Sequence, residues 1–132
     1  MCVANSARSQ LAEGLAREIF RTAEIGSAGS NPGQLNPHAI QVMKEIGIDI
    51  SKQFSKSYDE LSPKFKSSIN YIITLCAEEV CPVVISKAKK LHWPFPDPAS
   101  KSPLSEKEFL QRFRDARDAI KARLLQFQKE LE

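Results

Sequence analysis

Cys2 and Arg8 stand six positions apart in Cys2-Val3-Ala4-Asn5-Ser6-Ala7-Arg8-Ser9, and a helical pattern starts directly behind them. This C-x5-R-S spacing constrains the chain more than any other feature. It suits a loop wrapped round a tetrahedral oxyanion. The backbone N–H groups of Val3, Ala4, Asn5, Ser6, Ala7, Arg8 and Ser9 would turn inward. The helix would present its positive end, and Arg8 would close the ring with a bidentate fork. The same field favours a thiolate, which makes Cys2 the candidate nucleophile. The bland alternatives are a small buried cysteine, a solvated arginine and, for Ser9, a plain helix N-cap.

Behind the loop, helices alternate with short apolar segments. Ser9–Phe20 reads as a helix, with Leu11, Leu15 and Ile19 recurring every fourth residue. Ala23–Ser27 is a strand candidate, ended by the turn-rich SAGSNPGQ. Asn36 and Pro37 read as N-cap and first helical position. Gly47 would stop that helix, and Ile40, Met43 and Ile46 would form its apolar face. Ile69–Leu75 is a β-branched run that suggests a buried parallel strand, and Lys90–Trp93 a last short one. Ser105 with Glu108 forms a capping-box pattern. From Glu106 onward Phe109, Phe113, Ala116, Ile120, Leu124, Phe127 and Leu131 keep three-and-four spacing, which predicts one long helix. The expectation is a single α/β domain over residues 1–132, three-layered α/β/α, with a small parallel sheet.

Bulk properties narrow the function classes. The net charge is only +3, with no Lys/Arg run interleaved with aromatics, so nucleic-acid binding is not expected. No stretch has the apolar length of a membrane helix and no signal peptide is visible, so neither a membrane nor secretion is expected. Three cysteines without a disulfide-framework pattern fit a reducing, cytoplasmic compartment and reactive thiols.

Two further cysteines and one aspartate bear on the chemistry. Cys76 ends a predicted strand, where ligands bind in parallel α/β sheets, so it could approach Cys2. Cys81 follows it in a loop. C-x4-C is a weak zinc pattern, and two incidental buried cysteines are the bland alternative. Asp97 sits in PFPDPA, where flanking prolines could hold a carboxyl over the oxyanion as a general acid. On the residues alone, a turn aspartate is the simpler reading.

Six colinear motifs then carry a resemblance. CVANSARSQLAEG, SAGS, LNPHAIQVMKEIGIDIS, TLC, CP and HWPFPDPA together resemble the low-molecular-weight tyrosine phosphatase superfamily, and within it the thiol-dependent arsenate reductases. The resemblance implies the following roles. Cys2 attacks arsenate, Arg8 and the loop amides hold the oxygens, and Asp97 protonates the departing hydroxyl. A Cys2–Cys76 disulfide then passes to Cys76–Cys81, which thioredoxin or another cellular thiol reduces. Phosphate or sulfate would inhibit as competing oxyanions. Phosphatases of the superfamily commonly follow the acid Asp-Pro with aromatics, whereas Ala99 and Ser100 follow here. A bare oxyanion suits such a site better than phosphotyrosine. No cofactor is implied as required. Potassium is implied as a possible ion, on Asn5, Glu13, Ser27 and Asp59. Trp93 and Phe95 are read as core or hinge, and His38 and His92 as structural or surface residues.

The resemblance also implies a hydrophobic strand ahead of the loop cysteine, where this sequence holds only Met1. The expectation is that this strand lies upstream of Met1, with a rearranged sheet, or one completed by a second chain, as the alternative. Two other functions stay open on the sequence. One is a phosphatase acting through a phosphocysteine, and the other an oxyanion-binding module impaired by the absent strand.

Overall fold

The computed structural model describes residues 1–2, 5–77, 84, 86–99 and 104–132. Helix α1 runs Arg8–Ile19, α2 Pro37–Lys44, α3 Pro63–Ser68 and α4 Glu106–Glu130, with a 3-10 turn at Tyr58–Glu60. Strands β1, Tyr71–Thr74, and β2, Lys89–His92, pair in parallel with Tyr71 opposite Lys89 and Thr74 opposite His92.

The helix ends follow local chemistry. Asn36 Oδ1 accepts from the His38 N–H at 2.8 Å, and Pro37 occupies the first turn of α2. Gly47 takes φ +79, and its N–H reaches back to Lys44 O at 3.0 Å to close the end of α2. Ser105 Oγ accepts from the Glu108 N–H at 3.2 Å and donates to Glu108 Oε1 at 3.0 Å, at the start of α4. Two of the three residues expected on the apolar face of α2 meet the core, Met43 fully and Ile40 partly, joined by buried Ala39 and Val42, while Ile46 is 36% exposed. Helix α2 ends at Lys44, so Ile46 falls outside the period that the other two obey.

Helix α1 packs on α4 and α2, and α2 packs on α4. Leu11, Leu15, Met43, Phe113, Ile120 and Leu124 form the core among them. Side chains of this size each contribute roughly 1.5–3 kcal/mol on burial. Trp93, just past β2, meets Phe127 of α4 edge-on with ring centroids 5.3 Å apart. The Arg123 guanidinium lies 4.3 Å over the same indole. Trp93 is therefore core.

The sheet continues beyond β1 as single tracks. The Met1 amine donates to Ile73 O, and Met1 O accepts from Leu75 N–H at 2.9 Å, so Met1–Cys2 lies alongside the end of β1. Cys2 bridges Gly29 in parallel, and Gly29 bridges Ser57. The order across is β2, β1, Met1–Cys2, Gly29, Ser57. Ala23–Ser27, expected as a strand, is irregular. A ladder needs a partner of matching length, and among the described residues the neighbouring track is Met1–Cys2. Beside Met1 opens a cavity of about 520 Å³, lined among others by Ala16, Phe65, Ile72, Leu124 and Phe127. Among the described residues, no helix is long and apolar enough to cross a membrane.

Candidate functional site

Cys2 is a free, buried thiol at the end of its track, where its N–H donates to Ala28 O at 3.4 Å. Its Sγ lies 2.9 Å from Ser9 Oγ. Ser9 is not the N-cap that local reasoning allows. Helix α1 starts one residue earlier, at Arg8, and no side chain caps it. The Ser9 hydroxyl is thus turned across the loop to the thiol.

Asn5 organises the turn between Cys2 and Arg8. It takes φ +50, a left-handed conformation that asparagine tolerates better than most side chains. Its Oδ1 accepts from the Lys56 backbone N–H and from Gln10 Nε2, both at 3.0 Å, which fixes the orientation of the amide. Its backbone carbonyl accepts from Gln10 Nε2 at 2.9 Å and from Ser55 Oγ at 2.7 Å. The two Nδ2 hydrogens go to Ser9 Oγ at 2.7 Å and Ser27 Oγ at 3.0 Å. Each serine, having accepted from Asn5, keeps its own proton to donate. Ser27 gives it to Glu13 Oε1 at 2.7 Å. Ser9 keeps its proton available to donate to Cys2 Sγ.

Arg8 is buried, with 4% of its surface exposed. Its Nη1 donates to Phe95 O at 2.9 Å and Leu75 O at 3.3 Å. The guanidinium therefore joins the loop to the end of β1 and to the proline-rich segment after β2. Asp97 sits on that segment, two residues past Phe95. It is exposed, and its Oδ1 accepts from the Ala99 N–H at 2.9 Å in a local turn. Cys76, two residues past β1, is fully buried and disulfide-bonded. In the parallel register Cys2 lies beside Leu75, one residue short of Cys76. Val3, Ala4, Cys81 and Ser100 lie outside the described residues. Ser6 contributes its carbonyl, which accepts from Asn36 N–H at 2.9 Å and ties the loop to α2. Ala7 is buried in the core.

Of the four residues expected to hold a monovalent cation, Asn5, Glu13 and Ser27 come together. Asp59 does not join them, since it lies on the exposed 3-10 turn. Lys56 enters the cluster instead, with Nζ 3.5 Å from Glu13 Oε1. The donor set does not fit an added cation, because an ammonium already faces the one carboxylate. Lys56, Gln10, Gln53 and Ser55 were not predicted as site residues. Lys56, Gln53 and Ser55 act through contacts 43 to 51 residues apart in sequence, which no local pattern reports, whereas Gln10 falls inside the first motif. Both histidines are structural. His38 pairs with Glu106 at 2.8 Å, and His92 Nδ1 lies 2.8 Å from Thr74 Oγ1.

The sequence profile described as low molecular weight phosphotyrosine protein phosphatase matches residues 1–132. Arsenate reductase 2 of Staphylococcus saprophyticus is 41% identical over 130 residues, covering 96% of this chain and 92% of its own. A solved structure described as an arsenate reductase in the phosphate binding state superposes with TM-score 0.76 at 28% identity, covering 99% of this chain and 95% of its own. A thioredoxin-dependent arsenate reductase of Corynebacterium glutamicum gives TM-score 0.64 at 25% identity, over 98% of this chain and 60% of its own.

Proposed function

Since the chain belongs to the low molecular weight phosphotyrosine protein phosphatase family, we propose that it is an arsenate reductase regenerated by thioredoxin. The Cys2 thiolate, 2.9 Å from the Ser9 hydroxyl, attacks arsenic(V) of arsenate. Hydroxide leaves and takes a proton from Asp97, whose segment Arg8 holds through Phe95. Arg8 and the α1 N-terminus offset the oxyanion charge. Cys76 then attacks Cys2 Sγ. The sulfur–sulfur bond forms as the sulfur–arsenic bond breaks, and the electron pair leaves with arsenic(III) as arsenite. The two thiols have supplied the two electrons. Cys81 attacks Cys76, freeing Cys2 and leaving a Cys76–Cys81 disulfide for thioredoxin in the cytoplasm to reduce.

One observation carries this reading over simple phosphomonoester hydrolysis. Cys76 is buried beside the Cys2 track and held in a disulfide, while Cys2 is free. A phosphatase using Cys2, Arg8 and Asp97 has no use for a second redox-active sulfur there. The test is arsenate-dependent NADPH oxidation with thioredoxin and thioredoxin reductase. Turnover is expected for the protein and none for Cys76→Ser, while both keep any aryl phosphate hydrolysis they have. Arsenate turnover surviving in Cys76→Ser would sink the relay.

A further inference from the structure

We propose that the Lys56 ammonium is a built-in cation for the Glu13 cluster, a positioning group that makes the Cys2 site independent of potassium. The proposal deepens the function above, since it concerns the same thiol.

The Glu13 side chain is 3% exposed and the Lys56 side chain 11% exposed, so neither charge is solvated freely. A carboxylate so buried requires a countercharge. Arg17 supplies part of one at 3.3 Å from Oε2, but its side chain is 56% exposed and lies on the outer side. Oε1 is the inward oxygen. It accepts from Ser27 Oγ at 2.7 Å and faces Lys56 Nζ at 3.5 Å. Nζ also donates to Phe54 O at 3.2 Å and lies 4.7 Å over the Phe54 ring. A carboxylate oxygen and a backbone carbonyl are the hard oxygen donors an alkali ion would take, and here they are held by an ammonium.

Lys56 grips the loop twice. Its side chain faces Glu13, and its backbone N–H holds Asn5 Oδ1 at 3.0 Å. From Glu13 the hydrogen bonds run through Ser27, Asn5 and Ser9 to Cys2 Sγ. Fixing Glu13 as an ionised acceptor fixes the direction in which Ser27 donates. It thereby fixes which groups Asn5 must serve, and so the donation to the thiol. A tethered ammonium does this with no ion to bind from solution. A second monovalent cation in the same place would meet its like charge.

The test compares melting and arsenate turnover in potassium chloride and tetramethylammonium chloride at equal ionic strength, for the protein, Lys56→Ser and Lys56→Arg. The protein is expected to melt and turn over alike in both salts, and so is Lys56→Arg. Lys56→Ser is expected to melt lower and turn over about tenfold more slowly in tetramethylammonium, with both properties regained in potassium. A merely structural lysine would give no such salt-specific rescue. Specific stabilisation of the unsubstituted protein by potassium would overturn the proposal, and so would a Lys56→Ser variant indifferent to the ion. Melting needs no activity. Absence of arsenate turnover in every variant would count against the reductase reading while the melting comparison still decides the role of Lys56.

Discussion

Arg8 Nη1 donates to Phe95 O at 2.9 Å, so the guanidinium proposed to close the oxyanion loop also anchors the segment carrying Asp97. The same nitrogen reaches Leu75 O at 3.3 Å, next to Cys76. In Arg8→Lys a single ammonium replaces a planar fork and cannot hold both carbonyls and an oxyanion. Arsenate turnover is expected to fall about 10²–10³-fold, the usual loss when one oxyanion donor goes. Initial-rate kinetics on a variant whose far-UV circular dichroism is unchanged would check this. A loss under tenfold would mean that Arg8 is structural.

Ser9→Ala removes the proton donor 2.9 Å from Cys2 Sγ and leaves Asn5 Nδ2 with one acceptor fewer. The variant is expected to lose about 1–2 kcal/mol of stability, because buried hydrogen bonds are broken and a donor is left unpaired, and this would appear as a lower urea midpoint. An unchanged midpoint would show that the loop holds without the Ser9 hydroxyl.

Gly14 sits in α1 where a Cβ would come 2.6 Å from Ile50 Cγ2 and 2.9 Å from Met43 Cε. Alanine gains about 0.5–1 kcal/mol over glycine within a helix. Both neighbours are fully buried, though, and overpacking of that kind costs roughly 1–3 kcal/mol. Gly14→Ala is expected to lower the urea midpoint. A raised midpoint would show that Met43 and Ile50 repack freely.

How far the sequence spoke depended on the range of each interaction. Asn36-Pro37 and Ser105–Glu108 mark helix starts that the structure reproduces, because capping is settled within a few residues. The Ile69–Leu75 run is likewise local, and β1, Tyr71–Thr74, forms within it. Ser9 reads as a cap because it stands beside a helix start. Only the folded loop shows its hydroxyl turned to Cys2. Ala23–Ser27 has strand composition, but a strand is defined by its partner, and that track is Met1–Cys2. Lys56 is invisible in the sequence because its partner Glu13 is 43 residues away.

The α-amine of Met1 is buried between β1 and the cavity, although the residue as a whole is half-exposed. Burial pushes its pKa down from the ordinary 8.0 to about 6, against an upward pull from Cys2 that outweighs the further lowering by the Arg8 charge. As pH falls from 8, the unfolded chain takes up this proton before the folded one does. Stability should therefore be highest above pH 8, decline as pH falls towards 6, and level off below. The full span is at most about 3 kcal/mol, two pH units at about 1.4 kcal/mol each. Acetylating the amine should flatten that part of the curve. An extension of about five alternating apolar residues ahead of Met1 should do the same, since it turns the amine into an amide. Laid into the cavity beside Met1, its apolar side chains should also raise the melting temperature. A pH slope that survives acetylation would assign the titration to another group, and an extension that leaves melting unchanged would mean that the cavity does not accept a strand.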